Sequence, residues 1–348
     1  MSSGHTLRVA QVAPLWSSVP PDTYGGIELL LALLCDGLVE RGHEVTLFAS
    51  GDSRTRAELR AVIPVNLITL MNRGDALSYE YYLNAAMAAV MDAHDDFDIV
   101  HCHLPPAWLP FASVLRKPCL FTLHTSLHPD DRWAMQEFPR ARVAGISHAQ
   151  VADVSARVGR QLPVVYNGVD FAAYSACFAS GTYLAFLGRM SPEKNPLDAI
   201  RIARAAGMPL VLAGRPEGPK ETEYFRKHVE PLIDGGSVRW IGVVNHMQKV
   251  DLLRNAAALL FPIQWDEPFG LVMVEAMACG TPVVATGRGS VPEIVDEGVT
   301  GYTGGSPETM IPLVKKACAL DRERVREHAQ RRFTHDRMVD EYVALYRA

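Results

Sequence analysis

No stretch of the chain approaches the roughly 18 consecutive apolar residues that a transmembrane helix needs. The opening Met1-Ser2-Ser3-Gly4-His5-Thr6 has neither the cationic start nor the apolar core of a signal peptide. Cysteine is sparse and unpatterned: Cys35, Cys102, Cys119, Cys177, Cys279 and Cys318 lie without CxxC spacing, mostly inside apolar runs. That usage fits buried free thiols in a reducing cytoplasm, the compartment expected here. Basic residues do not dominate either. Lys and Arg total 34 against 39 Asp and Glu, a net charge of −5, so no broad basic surface is implied and nucleic acid is not expected as a partner. Peripheral membrane contact at local basic faces stays open. The first strand-to-helix turn carries no GxGxxG, which removes the usual dinucleotide fingerprint. There is no repeat of solenoid period and no convincing Asp-x-Asp metal site; Asp130-Asp131 is adjacent and reads as helix capping.

What remains is a long alternation of short apolar strands and helices. At 348 residues the chain exceeds the size at which one core keeps growing, so two domains are the default. Leu7 to Ala13 reads as a strand. A proline-bearing loop follows, then Gly25-Gly26, and then Ile27, Leu30, Leu31, Leu34 and Leu38 at helical spacing. This strand, Gly-Gly turn and helix open a doubly wound parallel sheet. Further strands are expected at Glu44–Ala49, Ala61–Leu67, Phe97–His103, Cys119–Leu123 and Arg142–Ser147. His103 and His124 fall at strand carboxyl ends, where open parallel sheets gather ligands. In His101-Cys102-His103 the two imidazoles share a strand face, but no further ligand stands nearby, so no metal is assigned.

After the unperiodic Phe171–Thr182 a second alternation begins with a strand at Tyr183–Leu187. Gly188-Arg189 and Glu193-Lys194 follow, and the next helix has Asn195 as N-cap with Pro196 at its first position. Two cations, a glycine and a helix N-terminus make a site for a diphosphate, with two solvated loop charges as the plain alternative. The densest signal lies further on. Ala256–Phe261 and Pro282–Ala285 are buried strands, and between them Leu271–Ala278 is apolar on every side except at Glu275. A helix greasy all round is buried, and an ionised carboxylate inside it needs partners. Glu267 precedes the helix start at Gly270, so two carboxylates frame free N–H groups. The plain alternative is that Glu275 neutralises a buried Arg while Glu267 is solvated.

Taken together, Gly25-Gly26-Ile27-Glu28, Asn167-Gly168-Val169-Asp170, Gly188-Arg189 with Glu193-Lys194-Asn195, and Glu267-x7-Glu275 resemble a retaining glycosyltransferase of family 4. The resemblance runs the length of the chain. It implies the GT-B fold: an α/β protein of two Rossmann-like doubly wound parallel-sheet domains facing a central cleft. An acceptor domain would span residues 1–166, with a C-terminal helix of about 333–348 crossing back to it, and a donor domain would span 167–332. The implied reaction moves a hexosyl group from a nucleotide-diphosphate sugar such as a UDP- or GDP-hexose to an acceptor hydroxyl. It would proceed with retention by front-face attack, with no metal and no other cofactor. Arg189, Lys194, Glu267 and His124 would be catalytic. Glu275 would hold the ribose and Glu267 the hexose, with Gly25, Gly26, Gly188, Val243, Phe269, Gly270 and Leu271 also at the donor. Tyr24, His103 and Trp108 would face the acceptor. A monomer or homodimer is expected. A nucleotide-sugar epimerase on the same fold and a catalytically silent nucleotide-binding protein are the competing readings.

Overall fold

A computed structural model describes residues 5–22 and 25–348. Its backbone divides into two compact units, one of residues 1–168 with 335–348, the other of residues 169–334.

The first unit is built on six strands: β1 (Arg8–Val12), β2 (Glu44–Ser50), β3 (Glu58–Ile63), β4 (Ile99–Cys102), β5 (Cys119–Thr122) and β6 (Arg142–Ala144). All pair in parallel in the order β3-β2-β1-β4-β5-β6. The third strand lies earlier than the Ala61–Leu67 run suggests. Pro64 ends it, and Asn66 caps a short helix, Leu67–Arg73, by accepting from the Thr69 N–H. Apolar side chains such as Leu67 serve helix and strand equally, so the cap decided. Phe48, Leu83, Met87 and Phe121 are among the fully buried side chains of this core. The final helix, His335–Arg347, lies on the helix Gly26–Glu40. Gly37 permits that contact, because a Cβ there would stand 2.7 Å from a Val339 methyl. At the edge of the contact, Arg41 binds Asp336 and Asp340 at 3.1 and 2.6 Å.

The second unit repeats the plan with β7 (Tyr183–Leu187), β8 (Leu210–Ala213), β9 (Val238–Trp240), β10 (Ala256–Phe261), β11 (Val283–Thr286) and β12 (Gly301–Gly304). Their order is β12-β11-β10-β7-β8-β9, again all parallel. Counted from its own first strand, each unit has the doubly wound order 3-2-1-4-5-6. The strand order reverses between β1 and β4 in one unit and between β7 and β10 in the other. Ligands of such sheets bind outside the carboxyl ends of the strands at that reversal. Between β8 and β9 a helix at Gly218–Tyr224 widens through Phe225–Val229 and tightens before Ile233.

Candidate active site

In the second unit the loops leaving β7 and β10 are joined. The Gln264 N–H donates to the Glu193 carbonyl at 2.8 Å, and the Asn195 side-chain amide donates to the Pro262 carbonyl at 3.1 Å. Asn195 also caps the helix Pro196–Ala205 from a left-handed backbone conformation, φ 57°. These bonds bring Lys194 onto the end of β10. Its ammonium lies 2.5 Å from Glu267 Oε2, and 5.3 and 4.8 Å from the Phe261 and Trp265 ring centres. The Trp265 indole N–H donates to the same carboxylate at 3.0 Å. An ammonium seated on two aromatic faces gains about 0.5–2 kcal/mol and is held in one place.

Glu267 itself is fixed from behind by the glycine-rich turn that follows β11. The Ser290 N–H donates to the Glu267 carbonyl and the Ser290 hydroxyl to that of Phe269, both at 2.9 Å. Gly289, at φ +58°, packs so closely that a Cβ would stand 2.4 Å from Glu267 N. Gly270, at φ +80°, then starts the helix Leu271–Ala278. Phe269 and Gly270 are buried, and Leu271 is half-buried beside them.

Glu275 does not wait for a ligand to supply its hydrogen-bond donors. It is 7% exposed, takes a hydrogen bond from the Tyr174 hydroxyl at 2.7 Å and forms an ion pair with Lys249. Lys249 also lies 5.5 Å from the Tyr174 ring centre. The cation that a buried carboxylate requires is therefore a lysine from the helix His246–Arg254, not an arginine. Burial and the Glu275 charge raise the Tyr174 pKa, which keeps its hydroxyl protonated as the donor. Neither partner carries a sequence signal, since a buried carboxylate demands a cation without saying which one. Arg189 is engaged as well, with Glu221 and, at 3.2 Å, with Glu193. An incoming diphosphate would replace carboxylates at this guanidinium, not water. Gly188 leaves β7 beside Gly214, whose Cβ position is filled by the Gly188 carbonyl. Val243 is exposed past β9.

In the first unit, Gly25 has no room for a side chain: a Cβ would meet Glu28 Oε2 at 2.8 Å and Pro21 at 2.9 Å. Gly26 begins the following helix, and in its first turn Glu28 is buried. Burial raises the Glu28 pKa, while its own N–H and that of Ser17 donate to it. A carboxylate thus already uses the helix start that the Gly-Gly turn offers to an anion. His124 is half-buried just beyond β5, with Nε2 at 2.8 Å from His103 Nδ1. Desolvation lowers its pKa to about 4, so the ring is neutral at pH 7. His103, expected to face the acceptor, is 4% exposed, and its second nitrogen lies 2.9 Å from Gln11 Oε1. Trp108 is likewise taken into the core, and Tyr24 lies outside the described residues. Among the described residues no group of three or more His, Cys, Asp or Glu is placed to hold a metal ion. None of their helices is long and apolar enough to cross a membrane.

Two parallel doubly wound units, one with paired cations and carboxylates at its switch point, define a GT-B protein. Comparison with known proteins agrees. The family model described as Glycosyltransferase Family 4 matches residues 24–173, and that of Glycosyl transferases group 1 matches residues 178–332. A D-inositol 3-phosphate glycosyltransferase of Mycobacterium bovis is 27% identical, over 93% of this chain and 78% of its own. The crystal structure of AviGT4, a glycosyltransferase involved in avilamycin A biosynthesis, is 29% identical with a TM-score of 0.73, covering 98% of this chain and 97% of its own. The fold is also that of Anabaena Alr3699/HepE, solved with UDP and glucose, at 20% identity and TM-score 0.74 over 97% and 99% of the two chains. The chain belongs to glycosyltransferase family 4, and it is a glycosyltransferase with two Rossmann-like domains.

Proposed function

We propose that the protein transfers a hexosyl group from a nucleoside-diphosphate sugar to an acceptor hydroxyl, with retention and without a metal. The observation that carries this reading is the cluster at the ends of β7 and β10, where Lys194 is held by Phe261, Trp265 and Glu267. A nucleoside diphosphate leaves easily once its growing negative charge is met, and a pre-positioned ammonium meets it without reorganising. Arg189 adds a second cation as Glu193 and Glu221 give way to phosphate oxygens. Glu267 accepts from the hexose hydroxyls, and the carboxylate of Glu275 accepts from the ribose while Lys249 and Tyr174 hold it in place. No side chain is assigned as a nucleophile, so attack on the same face as departure accounts for retention. The UDP and glucose bound by the Anabaena neighbour support a uridine donor first. UDP-, GDP-, ADP- and TDP-hexoses should be screened by thermal shift and slow hydrolysis, and the product anomer read by proton NMR. One donor should stabilise the protein and be consumed with its configuration kept; an inverted product or an epimerised donor overturns the reading.

A further inference from the structure

Beneath His124 the buried side chains of the first unit form one unbroken chain of hydrogen bonds, and the orientation of the Gln11 amide sets its direction. Gln11 and His101 are register partners on β1 and β4, Thr122 lies on β5, and Tyr342 and Tyr346 come from the final helix. The Gln11 side-chain amide donates to the Tyr346 hydroxyl at 3.0 Å, and its carbonyl oxygen lies 2.9 Å from His103 Nε2. A carbonyl oxygen only accepts, so the His103 proton is on Nε2 and its Nδ1 is bare. That Nδ1 lies 2.8 Å from His124 Nε2, which must therefore carry the proton of the second ring. Nδ1 is then the His124 nitrogen left outside the chain, with its lone pair free. In the other direction Tyr346, having accepted from Gln11, donates to His101 Nδ1 at 2.7 Å. His101 Nε2 then donates to Thr122 Oγ1 at 2.8 Å, and Thr122 meets the Tyr342 hydroxyl at 3.0 Å. Burial lowers the pKa of His101 and of His103, so each ring holds one proton, as this direction requires.

We propose that Gln11, His103 and Tyr346 are positioning residues that hold His124 as its Nε2–H tautomer, so that the bare Nδ1 accepts a hydrogen bond from a substrate hydroxyl. That the hydroxyl belongs to a sugar rests on the transferase reading; the tautomer does not. The final helix then has a task beyond covering the sheet, because its Tyr346 hydroxyl accepts the Gln11 amide proton and passes its own to His101. With Gln11 turned over, each imidazole proton moves to its other nitrogen, and His124 offers the hydroxyl an N–H in place of a lone pair.

The test is ring nitrogen-15 NMR of the full chain at pH 7.5, with the His124 signals assigned by their loss in His124→Asn. The wild type should show a protonated Nε2 and a bare Nδ1. Tyr346→Phe removes the hydroxyl to which the Gln11 amide donates, and Gln11→Leu removes the acceptor of His103. In either folded variant the Nε2–H fraction of His124 should fall, and kcat should fall in proportion with donor KM unchanged. A protonated Nδ1 in the wild type overturns the proposal. So does a loss of kcat with the tautomer intact, which marks a merely structural effect. If Gln11→Leu does not fold, Tyr346→Phe carries the test alone. If the wild type turns over no donor, the transferase reading falls while the NMR still decides the tautomer.

Discussion

Acidification from pH 7.5 to 5 should weaken the first unit by an amount that His124 sets. In the unfolded chain this imidazole titrates at its ordinary value of 6.5, and in the folded protein desolvation lowers that to about 4. A depressed folded value means that the stability is fully present above pH 6.5 and drains away as the pH falls toward 4. At pH 5 the unfolded ring is almost wholly protonated and the folded ring almost wholly neutral, a difference of about 2 kcal/mol from this one group. His101 and His103, whose pKa values are also lowered by burial, add to the loss in the same direction. Against a typical domain stability of about 5–15 kcal/mol, the effect is large. Urea unfolding followed by circular dichroism at pH 7.5, 6 and 5 measures it. His124→Asn serves as the control, since it keeps the other two rings and removes this titration. The pH-dependent loss should be smaller by about 2 kcal/mol in the variant. Equal losses in the two proteins would refute the claim that His124 is held neutral by its surroundings.

Lys249→Met should destabilise the second unit by about 3 kcal/mol in urea titration, because it leaves Glu275 charged and buried with Tyr174 alone. Lys249→Met with Glu275→Leu should recover most of that stability but not donor binding by calorimetry, separating the two roles of the pair. Gly289→Ala should cost about 1–3 kcal/mol, from a strained φ and a Cβ driven into the Glu267 backbone. It should weaken donor affinity more than it lowers the melting temperature. Gly37→Val should lower the melting temperature by overpacking the contact with Val339, at about 1–3 kcal/mol, with donor binding to the second unit unchanged.

The fold class was legible because its signals are local and repeated. Strand-length apolar runs ended by Gly, Pro or Asn alternate with helical spacing along the whole chain, and the family motifs fall at strand ends. The error at β3 arose where apolar residues ran on past Pro64 and the cap at Asn66 was passed over. In the candidate site the charged residues stood out in the sequence, and their partners did not. Glu275 announced itself as a carboxylate in an apolar helix, yet Lys249 and Tyr174 come from separate segments and nothing in their own neighbourhoods marks them. The clamp of Gly289 and Ser290 on Glu267 is equally remote in sequence. His103 and Trp108 lie in a strand-end loop that looked outward. Their burial depends on long-range packing that no local pattern records.

Donor turnover by Lys194→Met tests the central claim most directly. The variant keeps the length of the side chain over Phe261 and Trp265 and removes the charge placed to meet the departing diphosphate, together with its ion pair to Glu267. With a nucleotide-sugar that the wild type consumes, the account predicts a folded protein whose kcat falls by about 100-fold or more. Turnover within a few-fold of wild type would contradict it.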